Sequence, residues 1–241
     1  MSGDPLNKTY EEADLLAPEV KASAAQLNRY ARRLFWRGVP FAVNGVLRRR
    51  FYIRRHKMWE YARGLAYSRV APPMRVLDFG GGATLPVFYL AEQGCDVTAV
   101  DINQPFTNYT NAVARRRHLR LSALSVNLVE RPIPADFGTF DRILSFCVIE
   151  HLPKEAQQPM MKTLAGLLRP KGVMVVTFDF GPEAPSEWPI RSVKEVEELV
   201  QASGLRRLGN QDFLNANRFF VIDKRHPAAR FTLGSLFLTT P

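Results

Sequence analysis

The chain has 241 residues, 46% hydrophobic and 23% charged, a balance that suits one large globular domain or one domain with a small extension. No apolar run approaches the roughly eighteen residues of a membrane-spanning helix, and the opening stretch MSGDPLNKTYEEADLLAPE has neither the basic nor the apolar region of a secretory signal. Two cysteines without a CxxC pair (Cys95, Cys147) and four scattered histidines (His56, His118, His151, His226) exclude a disulfide scaffold and a spaced metal-ligand set. The expectation is a cytoplasmic, metal-free protein, with a peripheral place at the inner membrane face left open.

The net charge of +10 has one address. Between Arg29 and Arg63 eleven Lys or Arg face a single acid, Glu60, and the rest of the chain holds 22 basic and 22 acidic residues. In chain order, residues 1–18 read as a flexible tail. Residues 19–70 read as a basic helical cap with breaks near Gly38 and Asn44–Gly45. Ala71, Pro72 and Pro73 make a short stiff linker into a third segment, 71–241. There the pattern changes to short apolar runs alternating with helical stretches. Strands are expected at 74–79, 96–101, 121–129, 140–148 and 172–180, and helices at 85–93, 104–118, 159–169 and 192–203. Thr84 is expected to cap the first of these helices, and Ser192 with Glu195 forms a capping box on the last. Two apolar runs, 219–222 and 231–238, suit closing antiparallel strands. The alternation predicts an α/β fold: a doubly wound, mostly parallel seven-stranded sheet with helices on both faces, plus the N-terminal helical extension.

The run VLDFGGGATLP at 76–86 ends its strand in three glycines. In doubly wound sheets ligands bind beyond the carboxyl ends of the strands, which puts Gly80, Gly81 and Gly82 at the mouth of a site. Bare backbone there can turn sharply and approach a ligand, and the helix that follows presents free N–H groups. Asp101 closes the next strand 21 residues after Gly80, where a carboxylate can accept hydrogen bonds from ribose hydroxyls. A dinucleotide fingerprint wants glycine where Leu85 stands and has no use for Asp78 two residues before the first glycine, so that reading is weak.

Four segments in order, VLDFGGGATLP, VTAVDIN, FDRILSFCVIEHLP and LLRPKGVMVV, resemble the motifs of class I S-adenosylmethionine-dependent methyltransferases, and VIEHL followed by LLRPKG is similar to their small-molecule branch. The resemblance covers about residues 74–180. It implies a Rossmann-like methyltransferase domain over 71–241 with S-adenosyl-L-methionine as cofactor. It implies that Asp78 orders the glycine loop near the methionine end, that Gly80 and Gly82 with Gly81 between them form the loop, and that Thr84 stands where the family has a third glycine. It further implies ribose binding by Asp101, packing of Ile102 on adenine, and Phe146 and Cys147 beside the methionine moiety. Asn127 is the nearest residue to the family's adenine-reading acid. His151 is the titratable side chain the motif brings near the methyl group, either as general base or as a residue that shapes the loop or holds the cofactor.

The resemblance makes the expected activity methyl transfer to oxygen or nitrogen of a small or lipid-linked acceptor, of saccharide or secondary-metabolite type. Two alternatives stand beside it: an RNA methyltransferase that uses the basic segment, and a cofactor-binding protein without catalysis. The arginines, interleaved with Phe, Trp and Tyr, fit an anionic small substrate, an anionic membrane surface or, less well without an RNA-binding module, nucleic acid. A solvated helix face accounts for them equally simply.

Overall fold

The computed structural model describes residues 6–131, 137–222 and 226–241. In chain order the elements are β1 (Lys8–Thr9), a 3-10 turn (Glu12–Leu16), α1 (Pro18–Trp36), β2 (Phe41–Val43), β3 (Val46–Arg48), α2 (Arg55–Ser68), β4 (Arg75–Phe79), α3 (Leu85–Glu92), β5 (Asp96–Asp101), α4 (Gln104–Arg117) and β6 (Leu121–Ser125). They continue with β7 (Phe140–Phe146), a second 3-10 turn (Ile149–His151), α5 (Lys154–Gly166), β8 (Leu168–Phe180), α6 (Val193–Ser203), β9 (Arg206–Arg207) and β10 (Thr232–Thr239). The chain divides into two compact units, Ala13–Pro134 and Met1–Glu12 with Ala135–Pro241.

In the first unit β4, β5 and β6 are parallel and adjacent in that order. Buried residues run almost without interruption in β4, as in a strand covered on both faces, whereas β6 buries only Ala123. Helix α1 buries Val20, Leu27, Tyr30, Ala31 and Leu34, a single stripe at helical spacing. Its polar flank is tied down at Glu92, which accepts from Tyr30 Oη (2.9 Å) and pairs with Arg33 (2.7 Å) and Arg117 (2.6 Å), joining α1, α3 and α4. The second unit is built on the long β8, parallel to β7 on one side and antiparallel to β10 on the other. Strand β10 also takes β1 and β9. The first unit holds three strands and the second β7, β8, β10 and β1, together the expected seven, and β9 is a short addition. The α/β class with a mostly parallel sheet is as expected.

Several local expectations are corrected. The flexible tail expected over 1–18 is structured from residue 6 onward. Leu6, Asn7, Thr9 and Tyr10 are buried, and the Asn7 side chain donates to Leu208 O (2.9 Å) and Asn210 O (2.8 Å) while accepting from Phe237 N (2.9 Å). The helical cap is interrupted by a β2–β3 hairpin, because Asn44 and Gly45 both take left-handed φ and turn the chain back on itself. The N-terminal helices do not form a separate layer; they belong to the same unit as β4–β6. Strand β6 stops at Ser125, since Asn127 Oδ1 accepts from Val129 N (3.1 Å) and bends the backbone into a turn. Helix α5 begins at Lys154, not at Pro159, which lies inside it; Pro153 precedes the start, and the buried Gln157 holds the first turns by donating to Leu152 O and Trp188 O. The expected strand at 219–222 amounts to one bridge, Phe220 to Phe231.

Asn7 makes the clearest stability prediction. Replacing it by alanine leaves three backbone groups without their partner, and the Asn7→Ala variant is expected to lose about 2–3 kcal/mol in a denaturant titration. A loss below about 0.5 kcal/mol, the range of an ordinary surface substitution, would show that the segment contributes little.

Candidate functional site

Each of the three glycines is needed for a different reason. Gly80 has φ +83°, the left-handed region that spares only glycine from strain, and its N–H donates to Val100 O (2.7 Å) across to β5. At Gly81 a Cβ would lie 1.5 Å from Asp78 Oδ1, inside the carboxylate itself. At Gly82 a Cβ would meet Asp101 Oδ2 at 2.7 Å and Phe106 Cβ at 3.0 Å. The loop is therefore bare because two carboxylates are packed against it. Thr110 Oγ1 donates to Gly82 O from α4, and Thr84 N donates to Gly81 O (2.7 Å), closing the turn into α3.

Asp78 is 2% exposed. Burial, reinforced by the neighbouring Asp101 carboxylate and only partly offset by the Gly81 N–H, pushes its carboxyl up to about 8. Its Oδ2 has no hydrogen-bond partner among the described residues. Asp101, at the end of β5, is also raised by burial, against backbone N–H groups of Asn103, Gly82 and Ile102; the Asn103 N–H lies 2.8 Å from Oδ1. Ile102 is 74% exposed beside it. Asn127 lies in the turn after β6, its Oδ1 engaged by Val129 N. Thr84 stands at the N-cap position of α3 as expected, but its hydroxyl makes no capping bond and is buried without a partner among the described residues, a correction to its expected role.

The first unit adds a feature that the sequence gives no sign of. Ala42 N donates to Ala83 O (2.7 Å) and Tyr109 Oη to Pro40 O (2.9 Å), so residues 40–42 lie along the glycine loop and against α4. A cavity of about 270 Å³ bordered by Ser23, Gln26, Leu65, Tyr89 and Cys95 is separate from the loop.

In the second unit β7 ends at Phe146, half-buried opposite Thr177. Cys147 takes φ +55° and turns the chain out of the sheet, its N–H donating to Thr177 O (3.0 Å) and meeting Thr177 Oγ1 (3.2 Å). Glu150 is fully buried, and its Oε1 accepts from Asp179 N (3.0 Å). The Cys147 thiol and the Glu150 and Asp179 carboxylates lie within 4.8 Å of one another, with no fourth His, Cys, Asp or Glu joining them among the described residues. His151 is exposed at the end of the second 3-10 turn. Trp188 N donates to Glu150 O (2.9 Å) and Lys154 Nζ to Pro189 O (2.6 Å), so the proline-rich loop after β8 is pinned to this turn. Sequence reasoning passed over Asp179, whose only signal was a carboxylate near the end of an apolar strand.

Residues 76–172 match the family described as "Methyltransferase domain". Among curated relatives, a ubiquinone biosynthesis O-methyltransferase of Methylocella silvestris is 36% identical over 118 residues, 46% of this chain and 43% of that protein. A thiopurine S-methyltransferase of Shewanella loihica is 29% identical over 160 residues, 58% of this chain and 71% of that protein. The match thus spans less than half of the first relative's length. Among solved structures, the [4+2]-cyclase SpnF aligns over 100% of this chain and 99% of its own with a TM-score of 0.59 at 16% identity, a likeness of fold alone. Over residues 76–172, then, the chain is similar to methyltransferase domains, on the class I fold that its motifs resemble. The fold is shared with a cyclase, so chemistry has to be argued from the site.

Two predictions follow from the loop. Gly81→Ala is expected to displace Asp78 and disorder the turn, visible as a lower melting temperature and loss of ligand-induced stabilisation, whereas Gly94→Ala, near Pro72 only, costs just its backbone strain. The second concerns pH. Folded Asp78 keeps its proton up to about 8 while the unfolded chain releases it near 4, so its contribution to stability is full below about pH 4 and is lost as pH rises toward 8. Asp78→Asn should therefore gain stability over wild type progressively from about pH 4 to 8, with a constant difference above. Parallel stability curves across that range would refute the assignment.

Proposed function

We propose that the chain is an S-adenosylmethionine-dependent methyltransferase acting on a small-molecule acceptor. The observation that carries the reading is the pair of carboxylates built into the glycine loop, one of them with a buried, unpartnered oxygen. A cofactor that is cationic at its methionine end and has a ribose further along matches this donor set. Asp78 would hold the methionine end, Asp101 the ribose hydroxyls, and the exposed Ile102 would cover the adenine ring, with the peptide groups of Gly80–Gly82 lying against the ligand. When bound, S-adenosylmethionine supplies a methyl group on a sulfonium leaving group. The protein's task is to align the acceptor and exclude water, and to take its proton where the acceptor carries one.

His151 is the residue proposed for that proton. It is exposed, lies next to a buried carboxylate, and is fixed by a turn that the Trp188 loop braces. The acceptor is proposed to be small, in line with the names of the two curated relatives, with oxygen or nitrogen as the methylated atom.

Titration calorimetry with S-adenosylmethionine tests the cofactor reading without an acceptor. Because a cationic ligand draws Asp78 into its ionised form, binding at about pH 6–7 should release close to one proton, seen as an enthalpy that depends on the buffer, and the release should vanish well above pH 8. Asp101→Ala should weaken binding by at least about tenfold. Methyl-labelled cofactor incubated with cell extract then reports the acceptor fraction. His151→Ala should keep cofactor affinity and lower turnover by about 10²-fold. Label in RNA would move the reading to an RNA methyltransferase, and tight binding without transfer to a non-catalytic binding protein.

A further inference from the structure

We propose that the face made by the end of α1, the β2–β3 hairpin and the residues leading into α2 docks on an anionic lipid bilayer. The proposal goes beyond methyl transfer and does not depend on it. At this face Trp36 is 76% exposed and Tyr52 67%, with Phe51 and Val46 also in solvent. Arg32, Arg48, Arg49 and Arg54 are exposed around them with no carboxylate at ion-pair distance among the described residues, whereas Arg33 and Arg37 meet Glu92. From Arg29 to Trp59 the sequence contains no acid at all, so the face has a single sign.

The aromatic side chains form a preassembled knot. Phe35, Trp36 and Phe51 pack edge to face, with centroid separations of 5.5 Å for Phe35–Trp36, 5.5 Å for Phe35–Phe51 and 6.4 Å for Trp36–Phe51. Holding an indole and a phenol out in water gains nothing for folding. At a bilayer interface the same rings lie at headgroup depth, and arginines bind the phosphates around them. The chain has no helix, among the described residues, long and apolar enough to cross a membrane, so the contact is peripheral.

Two of the four rings are poorly placed for nucleic acid. Base stacking needs open faces, but the Arg32 guanidinium lies 5.2 Å over Phe51 and that of Arg49 lies 4.9 Å over Phe35. What remains open is the Trp36 indole and the Tyr52 phenol, two amphipathic rings that suit insertion among headgroups. The docking face also runs directly into residues 40–42, hydrogen-bonded to the glycine loop at Ala83, so a bilayer contact would hold the proposed cofactor site at the surface.

The test is sedimentation of the full chain, without cofactor, on vesicles of phosphatidylcholine with about one-third phosphatidylglycerol, compared with pure phosphatidylcholine. Binding is expected only to the anionic vesicles, falling with salt and accompanied by a blue shift in tryptophan emission that Trp36→Phe removes. Arg48→Glu with Arg54→Glu should lower partition by more than about tenfold, given about fivefold for each charge near the surface. Trp36→Ser with Tyr52→Ser should lower it severalfold. Because all four side chains are exposed, melting temperatures near that of wild type are expected and separate a docking defect from misfolding. Absence of binding, binding that ignores both pairs of substitutions, or binding to poly(U) in place of vesicles would overturn the proposal. Cofactor titration is a separate measurement, so failure of either reading is recognisable by itself.

Discussion

Two carboxylates pressed against bare backbone are the constraint around which the first unit is organised. Asp78, one residue before the end of β4, and Asp101, the last residue of β5, crowd the same loop, and the Asp101 carboxylate adds to the cost of ionising the buried Asp78. Only a turn without side chains can pass between them and the start of α3, and this dictates Gly81 and Gly82. Backbone N–H groups of the same turn repay part of the desolvation at both acids. Natural proteins retain such an arrangement when a ligand completes it. For the proposed cationic cofactor, the unfavourable pair would become the binding determinant.

What was legible in the sequence was local. Strand–turn–helix order, the loop and its two acids, and the Ser192 cap with Gly204 at the other end of α6 are fixed by neighbours within a few residues. What escaped depended on distant partners. Asn7 reads as a polar residue in a polar tail until Leu208, Asn210 and Phe237 surround it. The β2–β3 hairpin hid behind arginines that mask any alternation of apolar and polar positions. Proline at 159 suggested a helix start because a mid-helix proline sacrifices a hydrogen bond, and here the helix tolerates the loss. The three glycines have a reason that close approach of a ligand did not suggest: two of them make room for the protein's own acids.

The second unit has a different character. Where the first presents acids beside backbone donors, the second gathers Cys147, Glu150 and Asp179 at the ends of β7 and β8 and anchors the Trp188 loop over them. Its strands are held by hydrogen-bonded side chains reaching over long stretches of chain, and its variable parts are loops. This division, a locally encoded first unit and a globally encoded second unit, matches the pattern in which one fold carries many chemistries.

The pairing of β1 with β10, sealed by Asn7 from a distance of 230 residues along the chain, sets the manner in which the second unit can assemble. That closure earns no contact until β10 is available, and β10 also covers β8, so the outer edge of β8 stays open until residues 232–239 join it. An uncovered β-edge of eight mostly apolar residues, Val173 to Phe180, is a template for pairing with other chains. Fragments that stop short of residue 232 should therefore be recovered as aggregates, and a break in the backbone between α6 and β10 should be far less tolerable than one in an ordinary surface loop.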